Sequence, residues 1–284
     1  MISAYVDKYQ TLDAQIELYK ALNLTKMPLR KIGHETLYTK DDFYLEDLAK
    51  KLKETNVSIH YIDIDKTYPL NEMLDLDRVF YVSKVLNNKE VIIHLPTLED
   101  FEIEKGVFTE TISFILQSFK KAKINVSFHV NYEIDSAYIA YLINTFKEIR
   151  FTFNPALCYY HDKAVSTYHR LLRNNLSYVI LYDLDEHKEI ALLGYGNAFI
   201  IDTLDRLIYD KYKGDIILDT NLLEYITNRK AIYGRLFKLP FFKNNKSKKA
   251  YQQIEDKLGL TINRSITFEE LYLSQLSLVK RYIK

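Results

Sequence analysis

Eight short apolar runs, each followed by a longer amphipathic segment, recur about every 30 residues along this 284-residue chain. The runs are 2–6, 27–32, 57–63, 90–96, 125–131, 150–154, 177–183 and 215–220, and they are rich in Val, Ile, Phe and Tyr. Such short runs read as buried strands. Between them, segments near 11–22, 41–54, 71–87, 106–123, 135–148, 160–174 and 199–212 carry helical periodicity. Strict strand–helix alternation implies a parallel sheet, because each return to the same edge must cross over through a helix. Eight such units predict a closed (β/α)8 TIM barrel of the α/β class rather than an open doubly wound sheet. One domain, 1–284, is expected, with a barrel core over about 1–221 and a C-terminal helical extension over about 222–284.

The segment 106–123 shows the pattern. Val107, Ile112, Ile115, Leu116 and Phe119 recur at 3.6-residue spacing, and Lys120, Lys121 and Lys123 sit where the helix dipole favours cations. Asp41 and Thr109 are candidate first-turn residues. An eighth helix is expected from Asn221. A last one is expected over 267–282, its apolar stripe including Phe268, Leu271, Leu278 and Ile283.

Composition narrows the function classes. The net charge of +1 gives no global field toward nucleic acid or membrane. No uncharged apolar stretch approaches the roughly 18 residues of a membrane span. Cys158 is the single cysteine, so no intramolecular disulfide can form, which fits a reducing cytoplasm. The start of the chain does not read as a signal peptide.

In a TIM barrel, ligands bind at the carboxyl ends of the strands, so chemistry is sought there. His60, His94 and His129 fall in successive units at spacings of 34 and 35 residues. Equal depth near the barrel top is expected of them, where imidazoles can hold a metal or move a proton. Each could equally be a core histidine satisfied by one hydrogen bond. Asp63, Asp65, Glu133, Asp183, Asp185 and Asp219 also lie at strand ends. There they could bind a cation, act as a base, or simply cap the next helix. Tyr61, Tyr132, Tyr159, Tyr160, Tyr182 and Tyr195 add aromatic rings with hydroxyls at the rim. Two of the chain's seven glycines, Gly194 and Gly196, flank Tyr195 in the expected loop after strand seven. A sharp turn or a close ligand approach would use them.

These strand ends resemble the xylose isomerase-like TIM barrel superfamily, which holds sugar and sugar-phosphate isomerases and epimerases and the type IV apurinic endonucleases. The resemblance spans most of the first 220 residues and rests on order and spacing more than identity. MPLRKI resembles the family's opening, which ends in Leu-Arg at Arg30. VSIHYID and VIIHLP resemble its third and fourth strands, with His60 and His94 matching family histidines. FTFNPALCYYHD, SYVILYDLD, LLGYGNAFIIDTL and KGDIILDT resemble the later units. The resemblance implies a metal site and also shows it altered. The fifth strand's glutamate appears as His129, and the sixth strand's aspartate as Asn154, with Leu157 where a histidine follows. The seventh strand's histidine falls on Ile180, although Asp183 remains. The last strand's glutamate appears as Asp219, and the family's Gly-Glu-Gly as Gly194-Tyr195-Gly196. Losing two anions removes much of the attraction for oxygen-loving Mg²⁺ or Mn²⁺.

The reading that follows is a sugar or sugar-phosphate isomerase or epimerase with an altered or absent metal site. His129 and Asp219 are its candidate acid–base pair. Arg30, Tyr61, Asn131, Asn154, Asp183, Gly194, Tyr195 and Gly196 are its candidate substrate contacts, and His60 and His94 its candidate ligands for zinc or manganese. The alternative is a catalytically inactive barrel that binds a small ligand or a protein partner. Action on nucleic acid is disfavoured, because the endonucleases' multi-metal ligands are missing. A homodimer would explain the last helix's stripe. The basic, Phe-containing segment 235–251 reads either as an anion-contacting surface or as an apolar anchor with a solvated loop.

Overall fold

The computed structural model describes residues 1–7, 11–24, 26–55, 57–219 and 267–283. The strands are β1 (Ile2–Ala4), β2 (Lys26–Leu29), β3 (Lys31–Ile32), β4 (Glu35–Thr36), β5 (Ser58–Asp63) and β6 (Glu90–His94), followed by β7 (Asn125–His129), β8 (Phe151–Phe153), β9 (Leu176–Leu181), β10 (Asp183–Leu184), β11 (Ile190–Ala191) and β12 (Asp215–Leu218). Eight of them form one parallel sheet in the order β1-β12-β9-β8-β7-β6-β5-β2. β1 and β2 lie side by side, but no ladder joins them among the described residues, so the barrel is nearly closed. β3–β4 and β10–β11 are small antiparallel hairpins in the loops after β2 and β9.

The helices are α1 (Leu12–Ala21), α2 (Asp42–Thr55), α3 (Leu76–Val85), α4 (Phe101–Ala122), α5 (Ala137–Thr145), α6 (Pro155–Tyr160), α7 (Val165–Leu172), α8 (Ile200–Tyr209) and α9 (Phe268–Tyr282). Asp41 caps the α2 start, its Oδ1 accepting from Tyr44 N at 2.7 Å. α4 starts five residues earlier than its spacing predicts. Asp100 caps it by accepting from Glu102 N and Ile103 N, and Thr109 lies mid-helix against Lys105 O and Tyr141 Oη. The face α4 buries is Phe108, Ile112, Ile115 and Phe119, whereas Val107 is 58% exposed. The segment 160–174 is interrupted: Asn154 caps a short α6 with Pro155 at its first position, and α7 follows separately. In α9 the buried residues include Leu271, Tyr272, Gln275, Leu276 and Val279, while Ile283 is 36% exposed. The helix expected from Asn221 and the segment 235–251 lie outside the described residues.

Two apolar layers result. The larger one fills the space between strands and helices. The smaller one, Tyr5, Tyr61, Ile92, Tyr178, Ile180 and Ile217, fills the barrel interior. Strand side chains alternate with a period of two. Two steps beyond Tyr5, Tyr61, Ile92, Ile180 and Ile217 come Asp7, Asp63, His94, Tyr182 and Asp219. Arg30, His129 and Asn154 end the remaining three strands. Each strand thus hands one polar side chain to the C-terminal mouth, above an apolar interior plug. Among the described residues, no helix is long and apolar enough to cross a membrane.

Candidate functional site at the barrel mouth

Two polar clusters occupy adjoining arcs of this ring. On one arc, Asp63 is 1% exposed at the end of β5. Its Oδ2 accepts from Tyr5 Oη at 2.5 Å and lies 3.1 Å from His129 Nε2, while its Oδ1 accepts from Asp65 N at 3.1 Å. Burial alone raises this carboxyl's pKa. His129, and then Arg30 and His94, outweigh burial and hold it well below the usual range. The His94 and His129 rings pack at 4.6 Å with a 34° tilt, as expected from their direct pairing across β6 and β7. His94 Nε2 is buried without a hydrogen bond, and Asp65 Oδ1 lies 3.5 Å from it. Asp65 is held in turn by Lys31 Nζ at 2.5 Å.

On the adjoining arc, Arg30 reaches from the end of β2 to two acids. Its Nε and Nη2 donate to Asp7 at 2.6 and 3.1 Å, and its Nη1 and Nη2 donate to Asp219 at 2.8 and 3.1 Å. The guanidinium also lies 3.9 Å over the Tyr5 ring. Four of its five N–H donors are used in these bonds. Burial disfavours the cation, but Asp219 and Asp7 outweigh it and raise the Arg30 pKa further.

The predicted site residues distribute unevenly over these features. His94 and His129 come together, and Asp63 joins them. His60 does not. The β5 ladder sets Asp63 opposite Ile92, so His60, three residues earlier, falls level with Lys89, and His94 lies five residues beyond that. His60 Nε2 instead lies 2.8 Å from Asp215 Oδ2, at the first residue of β12, and Nδ1 lies 3.4 Å from Ser3 Oγ. It belongs to the N-terminal pole. β5 also carries one extra residue between Ile59 and Ile62 relative to Met27 and Leu29 of β2. Such a bulge lets consecutive residues face the same side, and both His60 and Tyr61 meet the interior Tyr178 ring. Equal sequence spacing therefore does not give equal depth.

Asp219 and His129 are each engaged elsewhere, on Arg30 and on Asp63, and not with each other. Tyr61 is fully buried in the interior plug. Asn154 Oδ1 accepts from Leu157 N at 2.9 Å as a helix cap, and Asn131 Oδ1 closes a turn by accepting from Glu133 N. The Gly194-Tyr195-Gly196 loop does cradle an anion, but the anion is the chain's own. Asp183 Oδ2 accepts from Gly194 N at 2.8 Å and Gly196 N at 3.0 Å, and Oδ1 accepts from Ala198 N and Leu184 N. Burial raises the Asp183 pKa against these four amides. Gly194 adopts φ +82°. A Cβ on Gly196 would sit 2.4 Å from both Asp183 Oδ1 and Leu184 O. Both glycines are thus required by the loop itself.

One group of candidate ligands emerges among the described residues: the ligand atoms of Asp63, His94 and His129 all lie within 4.8 Å of one another. A tetrahedral ion with bonds of about 2.1 Å sets its ligand atoms about 3.4 Å apart. The group needs only small side-chain shifts to reach that spacing. His94 Nε2, buried with only the 3.5 Å contact to Asp65 Oδ1, is the kind of nitrogen a metal satisfies. Sequence reading reached His94 and His129 through their spacing. Asp63 was visible only as one of several strand-end acids, because the bulge that brings it to the mouth leaves no signal in composition.

No family model and no curated protein matches the chain. Solved structures do. The xylose isomerase domain protein from Planctomyces limnophilus superposes with a TM-score of 0.62 at 10% identity, covering 91% of this chain and 97% of that one. An L-ribulose 3-epimerase gives 0.62 at 11% identity over 99% and 94%. The IolI protein with a binding zinc atom gives 0.60 at 13% identity over 90% and 98%. The chain shares the (β/α)8 barrel fold of these structures. At these identities the likeness establishes architecture, and the side chains at the mouth carry the functional argument.

Proposed function

We propose that this protein is a sugar isomerase or epimerase that moves a proton next to a carbonyl at the C-terminal mouth of its barrel, with a divalent ion held by Asp63, His94 and His129. The observation that carries this reading is the convergence of those three side chains, whose ligand atoms all lie within 4.8 Å of one another. Two imidazoles and one carboxylate suit zinc better than magnesium. A bound ion would supply polarisation of a substrate carbonyl. The chain's own groups do the rest. Asp65, a quarter exposed and ion-paired to Lys31, lies 3.5 Å from His94 Nε2 and serves as a positioning residue for that imidazole. Arg30, with one N–H left, orients a substrate oxygen, and Asp7 and Asp219 hold its fork in place. Asp219 then serves as a positioning residue, and its own proton transfer is not required. Solved neighbours of this fold include sugar epimerases and a zinc-bound protein, which agrees with the reading. Unphosphorylated sugars are favoured, since Asp183 already fills the glycine-loop cradle that a phosphate would use.

The test begins with metal analysis of the purified protein and calorimetric titration with Zn²⁺ and Mn²⁺. About one zinc per chain is expected, lost in His94→Ala and Asp63→Asn. Aldoses and ketoses are then incubated in D₂O, and exchange next to the carbonyl is followed by NMR. A protein that binds no divalent ion and exchanges no proton would support the second reading, an inactive ligand-binding barrel. That reading draws on the number of mouth acids already paired within the chain.

A further inference from the structure

The loops after β8 and β9 frame a cleft of about 480 Å³ that includes Asp183 and its glycine loop but none of Asp63, His94 and His129. This is within the size range of small-molecule pockets. One side is aromatic. The Tyr159 and Phe199 rings meet edge-on at 6.4 Å and 66°, and Phe199 is 54% exposed. Phe199 holds this position at φ 58° and ψ 34°, a left-handed conformation that bulky residues avoid. Beside the Asp183 glycine loop, the lining includes Ile201, Asn197 and Asp202. A sugar ring needs this combination: an aromatic surface for its C–H face, and amide and carboxylate groups for its hydroxyls.

The position adds a constraint. β9 stands two strands round the barrel from β7, which carries His129. At about 4.8 Å per strand β7 and β9 stand about 10 Å apart, and the cleft and the metal group both lie on the carboxyl side of the barrel strands. We propose that this cleft binds a sugar ring, the second unit of a glycoside whose first unit occupies the mouth. The second half of that statement rests on the sugar reading above; ring binding in the cleft does not.

The chain contains no tryptophan, so Phe199→Trp places a single fluorescent reporter in the cleft. It is titrated with methyl β-glucoside, methyl α-mannoside, methyl β-xyloside and cellobiose, with glycerol as the control. Saturable quenching by at least one sugar is expected, tighter for cellobiose than for the methyl glycosides. Adding Asn197→Ala and Asp202→Ala should weaken it roughly tenfold, the loss of one or two hydrogen bonds. In the otherwise unchanged protein, Phe199→Gly should raise Tm by relieving the positive φ, while calorimetric sugar binding disappears. The proposal is overturned if the folded tryptophan variant responds to no sugar saturably. It is equally overturned if glycerol gives the same response, or if Phe199→Gly binds sugar undiminished. None of these readouts involves metal or turnover, so failure of the cleft and failure of the metal centre are told apart.

Discussion

At the residue scale, the glycine loop and Asp63 make opposite demands on their surroundings. Asp183 is buried and spends both oxygens on four backbone amides, so the loop folds around a carboxylate instead of waiting for a ligand. Gly196→Ala places a methyl group 2.4 Å from Asp183 Oδ1 and from a backbone oxygen. It should cost about 2–4 kcal/mol in urea unfolding. Gly194→Ala, whose penalty is mainly the positive φ, should cost about 1 kcal/mol. The reverse order would mean that the Asp183 contacts are not what fixes this turn. Asp63 behaves differently with pH. Its folded pKa lies well below its unfolded one, mainly because His129 outweighs the burial that opposes ionisation. Its stabilisation is therefore complete above about pH 4 and is lost as pH falls toward the folded value. Asp65 and Asp215 are shifted in the same direction. Thermal melts should show Tm falling below about pH 4, less steeply in Asp63→Asn. A Tm independent of pH between about 5 and 3 would contradict the Asp63–His129 coupling.

At the scale of elements, most of the barrel was legible because a buried parallel strand has to be apolar along its length. All eight predicted runs became barrel strands, with ends shifted by a few residues. Helix starts were less legible: Asp100 lies before the apolar periodicity of α4 begins and caps it together with Glu104, whose Oε2 accepts from Asp100 N. The least legible quantity was depth. His60 and His94 have the spacing of equivalent positions, yet β5 continues three residues past His60 and carries a bulge on the way. Spacing counts residues between strands, whereas function depends on the residue each strand presents at its end. The distinction can be measured. His60→Asn should lower stability through the lost Asp215 contact, while metal stoichiometry stays at the wild-type value. His94→Ala should abolish metal binding with less effect on folding. Equal loss of metal in both variants would place His60 back at the mouth.

For the whole molecule, the weak point of the barrel and its most charged side-chain group coincide. Between β1 and β2 no ladder of hydrogen bonds closes the sheet among the described residues. Above that seam, Arg30 from β2 binds Asp7 beyond β1 and Asp219 beyond β12, with the Tyr5 ring beneath the guanidinium. From the C-terminal side, Tyr272 of α9 donates to Tyr5 O at 2.5 Å and so ties α9 to the same edge. Side-chain bonds thus do at the seam what backbone pairs do elsewhere round the barrel. The acids carry side-chain exposures of only 6% and 17%. Removing the guanidinium leaves two buried like charges together, a change that typically costs about 3–5 kcal/mol. Arg30→Ala should therefore be among the most destabilising single changes in the chain. Arg30→Lys should recover only part of the loss, because one ammonium cannot reproduce the fork that serves two carboxylates. Hydrogen exchange would localise the effect: amides of β1, β2 and β12 should lose protection first, and those of β6 and β7 last. Uniform loss across all eight strands would show that the clamp stabilises the fold without closing this seam.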